Sequence, residues 1–377
     1  MKRILFLPFL QIPSGHHQVA DSLTSIITSL DQSLECEKID ILQYSYGKIE
    51  ALVSSVYLKW IHTLPNTYHW LYQKQVYNEG KEKKSYKLYE QLFLPFMKRL
   101  IQEKNPDIII CSHALPSYML NVLKKNKMIN TPIINVYTDY FIHSFWGKKY
   151  IDYHFVPHEA LKETLKENGV EEHKIYITGI PVHPLITRSN IKDFTNYKNC
   201  TVMGGSLGVG MIEKLIPKMA KSEKINYRIL CGKNETLYKK VKQLNNPLIE
   251  AFPYISSRKE MNRIYKETDV VITKPGGITI SECLSKGIPA LIYHALPGQE
   301  QINLHELKKQ HLVIPFEHWD EFDNLDDGII LTLDTQLKPF KKAIQQFHES
   351  IDRNAIQTIL SKLLHSKKNK GVFTNET

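Results

Sequence analysis

Short apolar runs alternate with segments of helical periodicity along most of the chain. A short apolar run bounded by turn residues predicts a buried strand, whereas apolar residues at every third or fourth position predict an amphipathic helix. Six runs in each half carry the strand pattern: RILFLPF, CEKIDIL, DIIICSH, PIINVYTD, YHFVP, IYITGIP, TVMGG, YRILCG, IEAFPY, DVVITK, PALIYH and LVIPF. Strands that alternate with helices favour parallel sheets covered by helices. The pattern therefore predicts an α/β protein with two Rossmann-like sheets.

The boundary between two domains is predicted near residue 195. A chain of 377 residues is long for one core, and the stretch PVHPLITRSNIKDFTNYKN is polar, carries two prolines and lacks a sustained period. We expect an N-terminal domain over residues 1–195 and a C-terminal domain over residues 196–340. The helical pattern from Gln336 to His365 predicts that residues 341–377 form a helix packing back toward the N-terminal domain, followed by a basic tail.

The segment from Tyr44 to Ile101 departs from this alternation, because it is helical in pattern and crowded with Trp, Tyr and Lys. Such a mixture can lie in a membrane interface. An ordinary amphipathic insertion packed on the first sheet explains it equally well. A base-stacking nucleic-acid surface is a third interpretation, which the lack of a recognised motif weakens.

The composition indicates the class of protein but does not identify its binding partner. Apolar residues make up 42% and charged residues 23%, as in soluble globular proteins. The net charge of +10 suits a nucleic acid, an anionic membrane surface or a phosphorylated substrate. Five scattered cysteines without a CxxC pair predict reduced thiols in a cytoplasmic protein. The start, MKRILFLPFL, is interpreted as a first strand, and no apolar run is long enough to span a bilayer.

A glycine turn in DVVITKPGGITISECLSKG separates a predicted strand from a predicted helix. Free amides and the dipole at the helix start, next to Gly276 and Gly277, form a site for phosphate. Glu282 lies about one and a half turns into the helix, where it can accept hydrogen bonds from a ribose diol. A tight βα turn with a solvated glutamate explains the same residues, and the pattern alone favours that plainer interpretation.

Two further glycine loops follow strands. MGGSLGVG at residues 203–210 does not have the GxGxxG order, so it gives no support to a dinucleotide fingerprint. In PFLQIPSGHHQVADSL, Gly15 and His16 begin an amphipathic helix at the carboxyl end of a strand, where open α/β sheets bind ligands. A histidine there is disfavoured as a cation and is available as a base. The alternative, favoured by chemistry alone, is that His16 or His17 only caps the helix.

Together these pieces resemble the bacterial diacylglycerol glucosyltransferases and plant monogalactosyldiacylglycerol synthases, which are related to the MurG-type glycosyltransferases. The matching segments, in the family's order from about residue 3 to residue 305, are SGHHQVADSL, NPDIIICSHAL, VYTDYFIHSFW, ITGIPVHP, MGGSLGVG, LCGKNETLYKKV, KPGGITISECLSKGIP and PGQEQIN. The resemblance implies a GT-B fold, in which two Rossmann-like domains face each other across a cleft. The first would face the acceptor and the membrane, and the second would hold a UDP-sugar.

The resemblance also implies roles for individual residues. His16 matches the proposed catalytic base, with Asp139 beside it as a second catalytic candidate, and His143 and Trp146 lie on the acceptor side. The residues implied for the donor are Gly15, Gly204, Gly205, Ser206, Gly276 and Gly277 near the diphosphate, Lys274 as an added charge, Glu282 at the ribose, Gln299 and Glu300 at the sugar, and Phe252 in the uracil segment.

The reaction implied is one inverting displacement, in which an acceptor hydroxyl deprotonated by His16 attacks the anomeric carbon while UDP leaves. No cofactor and no metal are expected, because no Asp-x-Asp triplet occurs and amides with helix dipoles can stabilise the leaving group. The implied acceptor is a diacylglycerol-type lipid. We therefore expect a cytoplasmic protein bound peripherally to the anionic inner face of the cell membrane, with no nucleic-acid partner.

PSGH and FPYISSRKEM depart from the family's pattern, which leaves the identity of the donor open. The acceptor segment is the least family-like part, so another lipid or a soluble acceptor is an alternative. The chain could also act as a sugar-nucleotide 2-epimerase, or be a non-catalytic UDP-sugar-binding membrane regulator. The presence of both His16 and Glu282 argues against a regulator, since binding alone requires no base.

Overall fold

The computed structural model describes residues 2–9, 15–46, 86–189, 197–205 and 211–365. The chain divides into two compact units: Met1–Pro181 with Ser350–Thr377, and Val182–Glu349. Each unit contains one six-stranded sheet with every neighbouring pair of strands parallel. All twelve apolar runs that predicted strands form strands. The predicted α/β fold with two Rossmann-like domains is therefore confirmed.

The sheet of the first unit has the strand order β2-β1-β3-β4-β5-β6. Its elements in chain order are β1 (Arg3–Leu7), α1 (Gly15–Leu30), β2 (Glu35–Lys38), α2 (Ile41–Tyr46), α3 (Lys87–Lys104), β3 (Ile108–Cys111), α4 (Ala114–Lys125), β4 (Ile133–Val136), β5 (Tyr153–Val156), α5 (Glu159–Glu167), a 3-10 turn (Glu172–Lys174) and β6 (Ile175–Ile177). The central strands β3, β4 and β5 are buried at every position, as expected for a sheet covered on both faces.

The sheet of the second unit has the strand order β12-β11-β10-β7-β8-β9. Its elements are β7 (Asn199–Met203), α6 (Ile212–Met219), β8 (Asn226–Leu230), α7 (Glu235–Lys242), β9 (Ile249–Phe252), α8 (Arg258–Glu267), β10 (Val270–Thr273), α9 (Gly277–Lys286), β11 (Ala290–Ile292), α10 (Gln299–Lys309), β12 (Ile314–Pro315), a 3-10 turn (Trp319–Glu321) and α11 (Leu325–Ser350). A last helix, α12 (Ala355–His365), belongs to the first unit.

The run CEKIDIL is a strand only as far as Lys38, and a helix begins within it. Oδ1 of Asp40 accepts hydrogen bonds from the amides of Leu42 at 2.7 Å and Gln43 at 3.3 Å. These bonds satisfy donors that the first turn of α2 leaves unpaired. The apolar residues after Asp40 therefore start a helix instead of extending the strand.

The two units divide between Pro181 and Val182, earlier in the chain than residue 195. Hydrogen bonds hold the stretch after Pro181 on α9. The amide of Ser189 donates to the carbonyl of Ser285 at 3.2 Å, and Nζ of Lys286 donates to Oγ1 of Thr187 at 3.2 Å. The prediction near residue 195 came from local composition alone. Local composition does not indicate which distant residues a segment will bind.

The single helix predicted from Gln336 to His365 is two helices, α11 and α12. Between them, the amide of Asp352 donates to the carbonyl of Ile177 at 2.8 Å, and its Oδ1 accepts from the amide of Asn354 at 3.0 Å. This second bond forms a local turn that competes with the helix. After the turn, α12 lies on the first unit, where Nζ of Lys362 is 5.5 Å from the centre of the Tyr153 ring.

Much of the aromatic segment, residues 47–85, lies outside the described residues, as does the tail after His365. Its described part includes α3, whose inner side chains Phe93, Met97 and Leu100 lie in the core of the first unit. None of the helices in the described ranges has the length and apolar character needed to cross a membrane.

A stability prediction concerns Asp326, a fully buried carboxylate in the second unit. It accepts hydrogen bonds from the hydroxyls of Ser222 and Tyr227 and from the amides of Glu223 and Lys224. Asp326→Ala removes the acceptor of the buried Tyr227 hydroxyl and of both amides, while Ser222 keeps the carbonyl of Ile225 as an acceptor. We therefore expect the variant to lower the unfolding free energy of this unit by about 3 kcal/mol. Hydrogen exchange of peptides from β7 and β8 in the full chain measures the loss.

The control is the next residue along the helix, Asp327, whose carboxylate pairs with Nζ of Lys224 at 2.9 Å where both side chains are exposed to solvent. Asp327→Ala should leave exchange protection close to wild type. Equal protection in the two variants would contradict the importance of the Asp326 network.

Candidate functional site

Three loops of the first unit meet at the carboxyl ends of the adjacent strands β1, β3 and β4. His16 lies in the first turn of α1, which follows β1, while Ser112 follows β3 directly and Thr138 comes soon after β4. Parallel strands end at the same edge of a sheet, so their loops converge there. This edge brings together side chains that are 122 residues apart in sequence.

The ring of His16 is held by two oxygens. Its Nδ1 lies 2.8 Å from the carbonyl oxygen of Ser112 and 2.9 Å from Oγ1 of Thr138. A carbonyl can only accept, so we assign the proton to Nδ1 and the lone pair to Nε2. The hydroxyl of Ser112 donates in return to the backbone carbonyl of His16 at 3.0 Å. These bonds fix the ring with Nε2 as its basic atom.

The surroundings of His16 favour the neutral ring. Burial lowers its pKa, while the negative charge of Asp139 and the bond to Ser112 oppose this effect. His16 and Asp139 therefore interact through charge. The carboxylate of Asp139 favours the protonated ring, so it stabilises the imidazolium once His16 has taken a proton.

Two further histidines surround His16. The ring centre of His113 lies 4.7 Å from that of His16, edge to face, and Nδ1 of His113 accepts from the amide of Leu115 at 3.1 Å. This bond leaves the proton of neutral His113 on Nε2. Burial, helped by the charge of Lys148 and by the nearby His16, lowers the pKa of His143 to about 3. Burial also holds the pKa of His113 well below its ordinary value, so both rings are neutral at ordinary pH.

Trp146, predicted on the acceptor side, lies in the core with 6% of its surface exposed. Its ring contacts Tyr137, with centroids 4.6 Å apart. The adjacent Gly147 is required by packing, because a Cβ there would lie 2.5 Å from the carbonyl oxygen of Ser117. Its own carbonyl accepts from Nδ2 of Asn135 at 2.7 Å. These contacts anchor the loop that carries Asp139 and His143.

Of the predicted donor residues, Gly15 begins α1 in the first unit. The others belong to the second unit, most of them at the ends of β7, β10 and β11, which are adjacent strands. Gly204 and Gly205 follow β7, and Ser206 lies outside the described residues. Gly205 has a φ of +82°, a left-handed conformation that favours glycine. No atom of the described residues lies within 4 Å of a Cβ placed on Gly205 or on Gly276. As far as the described residues are concerned, both positions leave room beside the backbone.

The turn after β10 and the start of α10 are joined by an ion pair. Nζ of Lys274 lies 2.8 Å from Oε1 of Glu300, and their side chains are only 13% and 20% exposed. Oε2 of Glu300 accepts from the amide of Leu296 at 2.8 Å. Lys274 is therefore not the solvated turn lysine of the plainer interpretation. Gln299 begins α10 directly after Gly298, which has a φ of +95°.

Glu282 is buried, with 6% of its surface exposed, so the solvated glutamate of the plainer interpretation is also excluded. Oε2 accepts from the hydroxyl of Tyr265 at 2.7 Å, and Nη1 of Arg258 lies 3.7 Å from Oε1. Burial raises the pKa of Glu282, and both partners counteract that rise.

Phe252 ends β9, which lies two strands away from β7 in the sheet. Its carbonyl accepts from the amide of Cys231 at 2.9 Å, so this oxygen already has a partner within the unit. Phe252 is half-buried, and the following Tyr254 is 45% exposed.

The sequence did not identify the residues that contact His16 and Glu282 and hold them in place. Ser112, His113 and Thr138 lie in the loops after strands, so the rule that ligands bind at carboxyl strand ends could have found them. Tyr265 and Arg258 belong to α8, and no local pattern links that helix to Glu282.

Two family descriptions match the chain in succession. Residues 16–182 match monogalactosyldiacylglycerol (MGDG) synthase, and residues 199–359 match the glycosyltransferase family 28 C-terminal domain.

Full-length relatives agree with these matches. The uncharacterized glycosyltransferase YkoN of Bacillus subtilis (strain 168) is 44% identical over 373 residues, covering 98% of this chain and 99% of that protein. A processive diacylglycerol beta-glucosyltransferase of Bacillus cereus (strain G9842) is 27% identical over 348 residues, covering 89% and 87%. The crystal structure of Acinetobacter baumannii MurG has a TM-score of 0.59 at 13% identity, covering 97% and 99%, which shows a shared fold.

The geometry around His16 generates a pH prediction. Asp139→Asn removes a negative charge that favours the imidazolium, so we expect the pKa of His16 to fall further below its ordinary value. Nitrogen-15 NMR of the histidine rings measures this pKa, with His16→Ala used to assign the signal. Asp21→Asn is the control, because Asp21 is a carboxylate on the same helix that pairs with Lys38. A pKa that rises or stays constant in Asp139→Asn would contradict the assigned charge interaction.

Proposed function

Because the chain belongs to the glycosyltransferase family of the monogalactosyldiacylglycerol synthases and processive diacylglycerol beta-glucosyltransferases, we propose that it transfers a hexose from a UDP-sugar to a diacylglycerol-type lipid, with inversion. The proposal rests mainly on the hydrogen bonds and burial of His16. A neutral ring whose proton is fixed on Nδ1 by Ser112 presents Nε2 as a base at the ligand-binding edge of a sheet.

The proposed reaction is one displacement at the anomeric carbon. The oxygen of the acceptor hydroxyl forms the new bond, its proton passes to Nε2 of His16, and the bond to the diphosphate breaks with its electron pair leaving on UDP. Attack opposite the leaving group converts an α-linked sugar into a β-glycoside. Asp139 stabilises the imidazolium formed in this step.

The proposed donor site uses backbone and charge in the second unit. The start of α9 after Gly276 offers amides and the positive end of a helix dipole to the diphosphate. Lys274 adds a positive charge beside this turn, and Glu282 takes the ribose. We propose that these groups stabilise the leaving UDP without a metal, since the sequence has no Asp-x-Asp triplet.

The lipid acceptor is proposed from the relatives named as diacylglycerol glucosyltransferases. A hydroxyl at a bilayer surface must be reached from the water side, and the net charge of +10 suits anionic headgroups. We therefore propose peripheral attachment to the inner face of the cell membrane in the cytoplasm.

The direct test is UDP release by the purified chain across a panel of UDP-sugars, with and without diacylglycerol in anionic vesicles, followed by mass analysis of the lipid. We expect release that requires the lipid and one or more hexoses added to it. UDP-sugar turnover that is indifferent to diacylglycerol would refute the acceptor, and the absence of UDP binding would refute the donor.

His16→Ala tests the base. We expect transfer to fall by roughly 10² to 10⁴-fold, while UDP affinity stays unchanged because UDP is held by the second unit. His17→Ala is the matched control, since it removes a neighbouring ring from the same helical turn and should retain activity. Near-normal transfer by His16→Ala would eliminate His16 as the base and make Asp139 the next residue to test.

Lys274→Met tests the charge proposed at the diphosphate. UDP affinity should fall about tenfold, the amount typical of one lost charge-assisted hydrogen bond, whereas uridine, which has no phosphate, should bind as before. Titration calorimetry with both ligands makes the comparison. An equal loss for uridine would show that Lys274 acts only on the structure of the turn.

A further inference from the structure

The carboxylate of Glu282 is already engaged by protein before any ligand is considered. Its Oε2 accepts from the Tyr265 hydroxyl at 2.7 Å, while Oε1 lies 3.7 Å from Nη1 of Arg258. Each carboxylate oxygen has two lone pairs, so one bond from Tyr265 leaves most of the accepting capacity unused. The protein therefore fixes the orientation of the carboxylate through one oxygen and leaves accepting capacity on both.

We propose that Tyr265 is a positioning residue that makes the site selective for ribonucleoside over 2′-deoxyribonucleoside diphosphates. The proposal rests on the proposed function, in which Glu282 accepts hydrogen bonds from the ribose diol. A carboxylate held in one rotamer by the phenol can accept from the 2′ and 3′ hydroxyls together. A 2′-deoxyribose offers one of these two donors and leaves the remaining accepting position of a buried carboxylate unpaired.

Tyr265 is well suited to orient the carboxylate of Glu282, because its side chain is buried and its hydroxyl does not ionise easily. Its side chain on α8 is 1% exposed, and burial together with the nearby Glu282 raises its pKa well above the ordinary value. The phenol therefore remains a hydrogen-bond donor at every working pH. A buried hydroxyl that lost its acceptor would be costly, so the bond to Glu282 holds both partners.

The same bond favours the ionised form of Glu282. Burial raises the pKa of the carboxyl group, and the hydrogen bond from Tyr265, followed by the charge of Arg258, lowers it again. Removing the phenol therefore moves the pKa of Glu282 upward. The ionised carboxylate that binds the ribose diol is present above the pKa of Glu282 and is lost as the pH falls through that pKa.

The experiment measures the dissociation constants of UDP and 2′-deoxy-UDP for the full chain and for Tyr265→Phe between pH 5.5 and 8. The ratio of the two constants isolates the contribution of the 2′ hydroxyl, because ionisation of the phosphates is common to both ligands. For the wild type we expect a ratio of about ten or more in favour of UDP. For Tyr265→Phe we expect the ratio to be severalfold smaller at pH 8, and the preference that remains to be lost at a higher pH than in the wild type.

Tyr227→Phe is the matched control. Tyr227 is likewise a buried tyrosine of the second unit, and its hydroxyl donates to the buried carboxylate of Asp326 at 2.7 Å. It should lose a comparable amount of stability and keep the wild-type ratio. A ratio that falls equally in Tyr227→Phe would assign the effect to general loosening of the unit and overturn the proposal.

A second substitution tests whether Tyr265 acts through Glu282. Glu282→Gln alone should lower the ratio, and adding Tyr265→Phe to it should change the ratio no further. An additional loss in the double variant would overturn the proposed route through Glu282.

Failure of the proposed function has a different signature. If the wild type binds neither nucleotide, the UDP-sugar donor is refuted. If it binds both equally, or if Tyr265→Phe retains the wild-type ratio, UDP binding stands and the role of Tyr265 is refuted.

Discussion

Parallel strand pairing is the constraint on which both candidate sites depend. Every strand of a parallel sheet ends at the same edge, so each following loop is delivered to that edge whatever its distance along the chain. In the first unit this brings Ser112 and Thr138 to the ring of His16. In the second unit it places the turn at Lys274 against Glu300, at the ends of adjacent strands. The chemistry of each loop then decides what the edge can bind.

Burial is the largest influence on the pKa of His16 and of Glu282, and neighbouring groups oppose it in each case. Burial lowers the pKa of His16 and raises that of Glu282, so each group is pushed toward its neutral form. For His16 the neutral form is the useful one, because a base must be able to take a proton. For Glu282 the charged form accepts the stronger hydrogen bonds, and the hydroxyl of Tyr265 supports that form. The hydrogen-bond partners of both groups act against burial, because Ser112 raises the pKa of His16 and Tyr265 lowers that of Glu282.

Internal pairing also limits what some predicted residues can do. Glu300 is held by Lys274 and by the amide of Leu296, so a sugar at this carboxylate must share it with these donors. Trp146 is part of the core, and its contribution is to anchor the loop that carries Asp139 and His143. Trp146 thus supports its loop from the core and Glu300 joins two neighbouring loops, and the sequence motifs reveal neither contact.

Strand and helix periodicity and glycine turns are local properties, so the amino-acid pattern predicted the twelve strands, the two parallel sheets and the loops that carry the candidate site. The motifs around His16, Gly276 and Glu282 also identified the family that the relatives support. The division at Pro181, the break at Asp352, the tautomer of His16 and the partner of Glu282 became visible only in the folded chain. Each of these depends on a hydrogen bond between residues that are not neighbours in sequence, such as that from Tyr265 to Glu282. A local sequence pattern does not specify which such residue will be the partner.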